Sequence, residues 1–232
     1  MGLLDDLKRQ AEELKARDVD RAETLRANAE AVDRALRQAF KYLNEMSQQL
    51  KLVKLPCPFT YELPKAEAIS GLVFQDFSAD YRSKHFRDKD YFGTVILLAR
   101  GHADRVLSIK KSPEEMDRFR DTLWQYNLVH TSEQYRDARR AVTHEIFTVS
   151  CEVPLQAKFE GDHESGRIQV SVKNVGGFAI DVFRLTAQEL SDHAIEEFAK
   201  HFIGRPSEWV AIVKASSLGA RARAPGQPRP AR

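Results

Sequence analysis

HEIFTVSCEVPLQAKFE, residues 144–160, alternates apolar and polar side chains along most of its length. Phe147, Val149, Cys151, Val153, Leu155, Ala157 and Phe159 share one parity, and Thr148, Ser150, Glu152, Gln156 and Lys158 share the other. Successive strand residues point to opposite faces, so the stretch predicts a long antiparallel strand with one buried and one wet face. Downstream, GDHESG turns the chain and RIQVSVK returns with Ile168, Val170 and Val172 inward. NVGG turns again into FAIDVFRL. TAQELSDHAIEEFAKHFIGRP then predicts a helix, with Thr186 as N-cap, Glu189 closing a capping box, and Gly204 and Pro206 as the stop. SEWVAIVKAS is short and ambiguous.

Upstream, GLVFQDF, YFGTVILLAR and RVLSIKK are rich in β-branched and aromatic residues and predict further strands. SPEEMDRFRDTLWQYNLV predicts a helix with Ser112 as N-cap, Pro113 in the first position and Glu115 completing the box. SEQYRDARRAV predicts another short helix. Residues 91–116 align without a gap over residues 165–190, so that Ser112, Glu115 and Met116 meet Thr186, Glu189 and Leu190. Identity is very low. The shared plan of hairpin then capped helix is compatible with two hairpin–helix halves in one mixed domain.

Before all this runs a different pattern. Residues 2–54 contain no proline, and Gly2 is their only glycine. From Leu25 a heptad holds, with Leu25, Val32, Ala39, Met46 and Val53 on one line and Ala29, Leu36, Leu43 and Leu50 on the other. Leu7 and Leu14 lie out of that phase, and Asp18 falls on a core position. The helix therefore restarts near Asp20 or slips register there. Only Asp33 among the flanking positions read is charged, and Phe40, Tyr42 and Ala35 widen the seam. Such a face suits packing on a sheet or in a bundle better than a bare zipper. Phe40, Leu43 and Leu50 are accordingly expected to be buried, and the segment before Asp20 to be the freer end.

The fold class expected is α+β: a long, coiled-coil-like N-terminal helix, then an antiparallel sheet with helices on one face. The divisions are a helical segment 1–54, a Pro-containing linker 55–69, a sheet domain 70–215 and a disordered basic tail 216–232. No apolar run reaches the length of a membrane span. The acidic N-terminus MGLLDDLKRQ does not read as a signal peptide. Two cysteines make no disulfide framework, so a cytoplasmic protein is expected. Arg221, Arg223, Arg229 and Arg232 exceed the whole net charge of +2, which leaves a near-neutral body unlike a dedicated DNA-binding domain.

Phosphate-loop, dinucleotide-binding and nucleophile-elbow motifs are absent. No catalytic residue, metal or cofactor is assigned. His193, Glu197 and His201 lie four apart on one helix face, a metal-ligand spacing. They fall mostly opposite the apolar stripe, so i,i+4 pairing on a solvated face is the simpler reading. Adjacent strand residues His144 and Glu145 face opposite ways, Cys151 has inward parity, and nothing positions a partner for Asp76 or Asp80. DYRSKHFRDKDY, residues 80–91, interleaves cations with aromatics, a pattern that grips single-stranded nucleic acid. Here it is diluted by Asp80, Asp88 and Asp90.

The ranking places first a non-enzymatic interaction or assembly protein that docks to itself or to another protein. Leu4, Leu7, Ala11, Leu14, Leu25, Val32 and Leu36 are its partner-facing residues. Second is a small-molecule or lipid-binding α+β domain with or without catalysis. Third is nucleic-acid or anionic-lipid contact through Arg82, Lys84, Arg87, Arg221 and Arg223.

Overall fold

A computed structural model describes residues 3–216 and 222–223, with the backbone alone for residues 3–6, 8, 11, 222 and 223. The protein is α+β. One helix, α1 (Leu3–Leu52), precedes seven antiparallel strands: β1 (Val73–Phe86), β2 (Lys89–Lys111), β3 (His130–Arg136), β4 (Val142–Asp162), β5 (Arg167–Lys173), β6 (Ile180–Thr186) and β7 (Ala222–Arg223). Helices α2 (Met116–Gln125), α3 (Asp192–Phe202) and α4 (Trp209–Ala215) complete the chain order. No helix among the described residues is long and apolar enough to cross a membrane.

The expected strand at 144–160 is the centre of the sheet. β4 pairs along one edge with β2 for most of its length. Its other edge is shared, with β3 along Val142–Val149 and β5 along Gln156–Asp162. Pro154 lies in the gap between them, where its missing N–H leaves no ladder bond unmade. Its carbonyl accepts from Asn174 Nδ2 at 2.8 Å. Asn174 is buried at positive φ, and its Nδ2 also donates to the Tyr126 carbonyl. This side chain thus closes the place where one sheet edge changes partner.

Two expectations fail at the sheet. The expected strands YFGTVILLAR and RVLSIKK are not joined by a hairpin turn at residues 101–104. Gly101 and His102 stay paired with Val153 and Glu152, and a bulge carries the chain on to Val106. A Cβ at Gly101 would stand 2.9 Å from the Leu72 side chain, so the glycine serves close packing instead of a turn. Residues 91–116 are therefore one long strand and a helix, whereas residues 165–190 hold a true hairpin, and the echo of two halves does not hold. SEQYRDARRAV is not helical either. The edge of β4 recruits His130–Arg136 as β3, and tertiary pairing overrides local propensity. The turn that follows is held by Asp137, whose carboxylate accepts from the N–H groups of Arg139 and Ala141.

The capping box at Thr186 and Glu189 forms but caps a turn ahead of its helix, and the one expected at Ser112 does not close, because the Glu115 N–H donates to the Ser112 carbonyl and not to its hydroxyl. Ser112 Oγ donates to Glu115 and α2 begins at Met116. Thr186 N–H donates to Glu189 at 2.7 Å, while α3 begins at Asp192 with Ser191 accepting from the Ala194 N–H. The ambiguous SEWVAIVKAS is α4, which buries Trp209 and Val213.

The inner parity of β4 is buried from Phe147 to Phe159, with Ile168, Val170, Phe183 and Leu185 beside it. Ala194, Ile195, Phe198 and Phe202 of α3 and Val32, Leu36, Ala39 and Leu43 of α1 cover it. The extended, Pro-containing residues 55–69 add Cys57, Tyr61, Leu63 and Ile69 to this core. Approach is closest at Gly161, where a Cβ would come within 2.4 Å of Val32 and 3.0 Å of Leu36. Of the residues expected to be buried on α1, Leu43 is fully so, while Phe40 and Leu50 are half-buried against the core. Phe40 packs edge-on against Tyr81. Tyr42 is exposed and stands at the margin of the covered face.

Candidate interaction surface

α1 changes environment along its length. Among its described side chains, every one from Leu7 to Thr24 is exposed. Leu25 is half-buried, and Ala29, Val32, Leu36, Ala39 and Leu43 are buried by the sheet. The first 22 residues of the helix, Leu3–Thr24, extend about 33 Å at 1.5 Å per residue. Leu7 and Leu14 are 53% and 60% exposed, on a helix whose later turns are core. Leu4 and Ala11 have side chains outside those described. Val32 and Leu36 leave the partner-facing set, because both are 0% exposed against the protein's own strands.

The boundary between the two halves is held by polar contacts. Asn28 Nδ2 donates to the Glu164 carbonyl at 2.9 Å. The Asp33 carboxylate accepts from the Phe92 N–H at 2.7 Å and pairs with Arg37. The Phe92 carbonyl lies 3.1 Å from His163 Nε2. His163 is buried against the rings of Phe86 and Tyr91, and its Nδ1 has no hydrogen-bond partner among the described residues. Burial, with Lys84 adding, holds the imidazole below its ordinary pKa.

Beside this neck, the turn between β1 and β2 rises next to α1. Val19, Ala22 and Arg26 of the helix face Phe86, Arg87 and Lys89 across a groove of about 420 Å³. The structure thus brings one of the candidate cations, Arg87, to the base of the projecting helix. Arg82 and Lys84 are exposed on β1. His85 Nδ1 lies 2.9 Å from Asp90, and Tyr81 stacks on Phe92 at 4.1 Å. Phe86 and Tyr91 are turned to His163, so two aromatics of this stretch serve the neck and are not displayed as stacking platforms. Arg221 lies outside the described residues, and Arg223 is described only as backbone paired with Asp181.

The remaining polar candidates are mostly engaged within the fold. Glu197, expected on a wet face, is buried. It accepts from Lys200 Nζ at 2.7 Å and from the Glu208 N–H at 2.6 Å. His193, by contrast, is exposed. No group of three metal-ligating side chains is found among the described residues. Glu145 is buried on the inner parity of β4. Its burial is outweighed by hydrogen bonds from Ser132 and Arg120, which hold its carboxyl below the usual range. Lys111 opposite is buried too, donating to the carbonyls of Pro64 and Lys65. Cys151 is fully buried, and burial pushes its thiol up. Arg120 as the partner of Glu145 and Pro64 as that of Lys111 leave no mark in the sequence, since they come from segments 25 and 47 residues away.

Comparison with protein-family models, with curated proteins and with solved structures returns no match to this chain.

Proposed function

We propose that this is a non-enzymatic interaction protein that docks through the projecting half of α1, with the sheet domain as its anchor. The observation that carries this reading is the exposure of Leu7 and Leu14 on a helix whose later turns are clamped into the core. An isolated helix of this length is marginal in water and gains from a partner that covers its apolar face. Two free, buried cysteines fit a reducing cytoplasm as the place of work.

The test is purification of the full chain beside Leu7→Asp/Leu14→Asp. The reading predicts that wild type associates, with itself or with another protein held in stoichiometric amount. The variant loses that association while its thermal unfolding stays unchanged. A monomeric wild type that holds nothing in a Leu7- and Leu14-dependent way contradicts it.

A further inference from the structure

Charge on the projecting half of α1 is sorted by face. At about 100° per residue, Leu7 and Leu14 define a narrow apolar stripe, and Lys15, Arg17, Asp18 and Arg21 fall within about 90° of it. Glu12, Glu13, Asp20 and Glu23 fall on the opposite half, where Arg9 is the base. All of these side chains are exposed. The stripe thus carries cations on both edges, Lys15 on one and Arg17 with Arg21 on the other, while most acids turn away from it. Asp18 is the exception, three residues from both Lys15 and Arg21. Arg17 and Arg21 stand four apart, a like-charge spacing that is unfavourable in an isolated helix. Lys15, Arg17 and Arg21 have no ion-pair partner among the described residues, whereas Arg26 and Arg37 on later turns pair with Glu30 and Asp33. Resting on the docking role of this segment, we propose that its partner is a short amphipathic helix of another protein, with an apolar stripe edged by Asp and Glu.

The body shapes what can lie on the stripe. From Ala29 on, the same side of α1 is covered by the sheet, and Val32 and Leu36 are buried there. The β1–β2 turn stands at this level, facing Val19, Ala22 and Arg26 across the groove. The stripe therefore ends in a step made by the protein's own strands. A flat bilayer laid against Leu14 meets that step, whereas a helix that stops at the neck fits beside it. The stretch from Leu3 to Thr24 is about 33 Å long, which limits the contact.

A second copy brings the wrong charge. A two-fold axis between antiparallel helices sets each edge against the same edge, Lys15 side to Lys15 side and Arg17 side to Arg17 side. A parallel pair sets the Lys15 edge against the Arg17 edge and drives each helix into the other's sheet beyond the neck. Cation-bearing edges meet in both arrangements. Acid-bearing edges instead offer a partner to each cation.

The experiment uses two synthetic helices of three heptads with Leu at both seam positions, one with Glu and one with Lys at the flanking positions. Binding of each labelled peptide to the full chain is read by fluorescence anisotropy. Wild type is compared with Lys15→Glu/Arg17→Glu/Arg21→Glu and with Leu7→Asp/Leu14→Asp. Every substituted side chain is exposed, and thermal unfolding checks that the body is intact. The expected wild type is a monomer in sedimentation that binds the acidic peptide about tenfold tighter than the basic one, a preference that fades in high salt. The triple variant reverses the preference, and Leu7→Asp/Leu14→Asp binds neither peptide. Equal binding of the two peptides, a preference that the triple variant keeps, or a wild-type dimer that Leu7→Asp/Leu14→Asp dissolves overturns the acidic partner and leaves the docking role standing. Leu14-dependent binding to vesicles of equal parts phosphatidylcholine and phosphatidylserine overturns both. If wild type binds neither peptide the proposal falls, and the docking role falls with it where the purified chain also retains nothing through Leu7 and Leu14.

Discussion

The Asp33 carboxylate accepts the main-chain N–H of Phe92 at 2.7 Å, fastening the middle of the long helix to the edge of the sheet. Contacts from Asn28 and His163 gather at the same level, so the helix changes there from a core element to a projecting one. Asp33→Ala leaves a part-buried N–H without its acceptor. It is expected to lower unfolding free energy by about 1–3 kcal/mol in urea titrations, with Asp33→Asn costing less because an acceptor remains.

His163 adds a pH dependence of defined sign. Its folded-state pKa lies below the unfolded value of 6.5, so the folded protein resists the proton that the unfolded chain accepts. Above that pH both states are neutral and no penalty exists. As pH falls below 6.5, stability is lost until the folded imidazole itself protonates. Lys84 opposes the proton, whereas Asp33 and Asp162 favour it less strongly. Measured from pH 7.5 down to 5, the fall in wild-type stability should be steeper than in His163→Phe. Equal slopes would mean that the buried ring titrates normally.

The two halves of α1 should respond oppositely to substitution. Leu36→Ala removes a fully buried side chain and is expected to cost about 2–5 kcal/mol. Leu14→Asp, on the exposed turns, should change the stability of the dilute protein by less than about 0.5 kcal/mol. Comparable losses at both positions in thermal unfolding would show that the body covers the whole helix.

Gly161 marks the tightest helix–sheet approach. Gly161→Ala places a methyl against Val32 and Leu36 and pushes α1 away from β4. A loss of about 1–3 kcal/mol is expected, relieved when Val32→Ala is added in a double-mutant cycle. Additive losses would place the clash elsewhere.

Elements with strong periodicity were legible in the sequence: β4 from its alternation, the β5–β6 hairpin from its turn residues, and α1 from its heptads. β2 resembles two strands in the sequence because a glycine next to polar residues resembles a turn, whereas Gly101 makes room for Leu72. β3 resembles a helix in the sequence because its propensity is local and its pairing with β4 is not. The limits of the docking surface were only half legible. Val32 and Leu36 repeat in the same heptads as Leu25, and only the folded sheet separates covered from exposed members. The polar neck of Asn28, Asp33, Phe92 and His163 had no signal, since its members lie up to 136 residues from their partners.

The central claim is that one helix is half anchor and half docking segment, and amide hydrogen exchange along α1 tests it most directly. In dilute protein, residues 32–43 should be protected near the global limit and residues 12–24 should exchange quickly. In the associated state residues 12–24 should gain protection, and Leu7→Asp/Leu14→Asp should abolish that gain while residues 32–43 keep theirs. Protection of residues 12–24 in dilute protein that survives this double substitution would contradict the account.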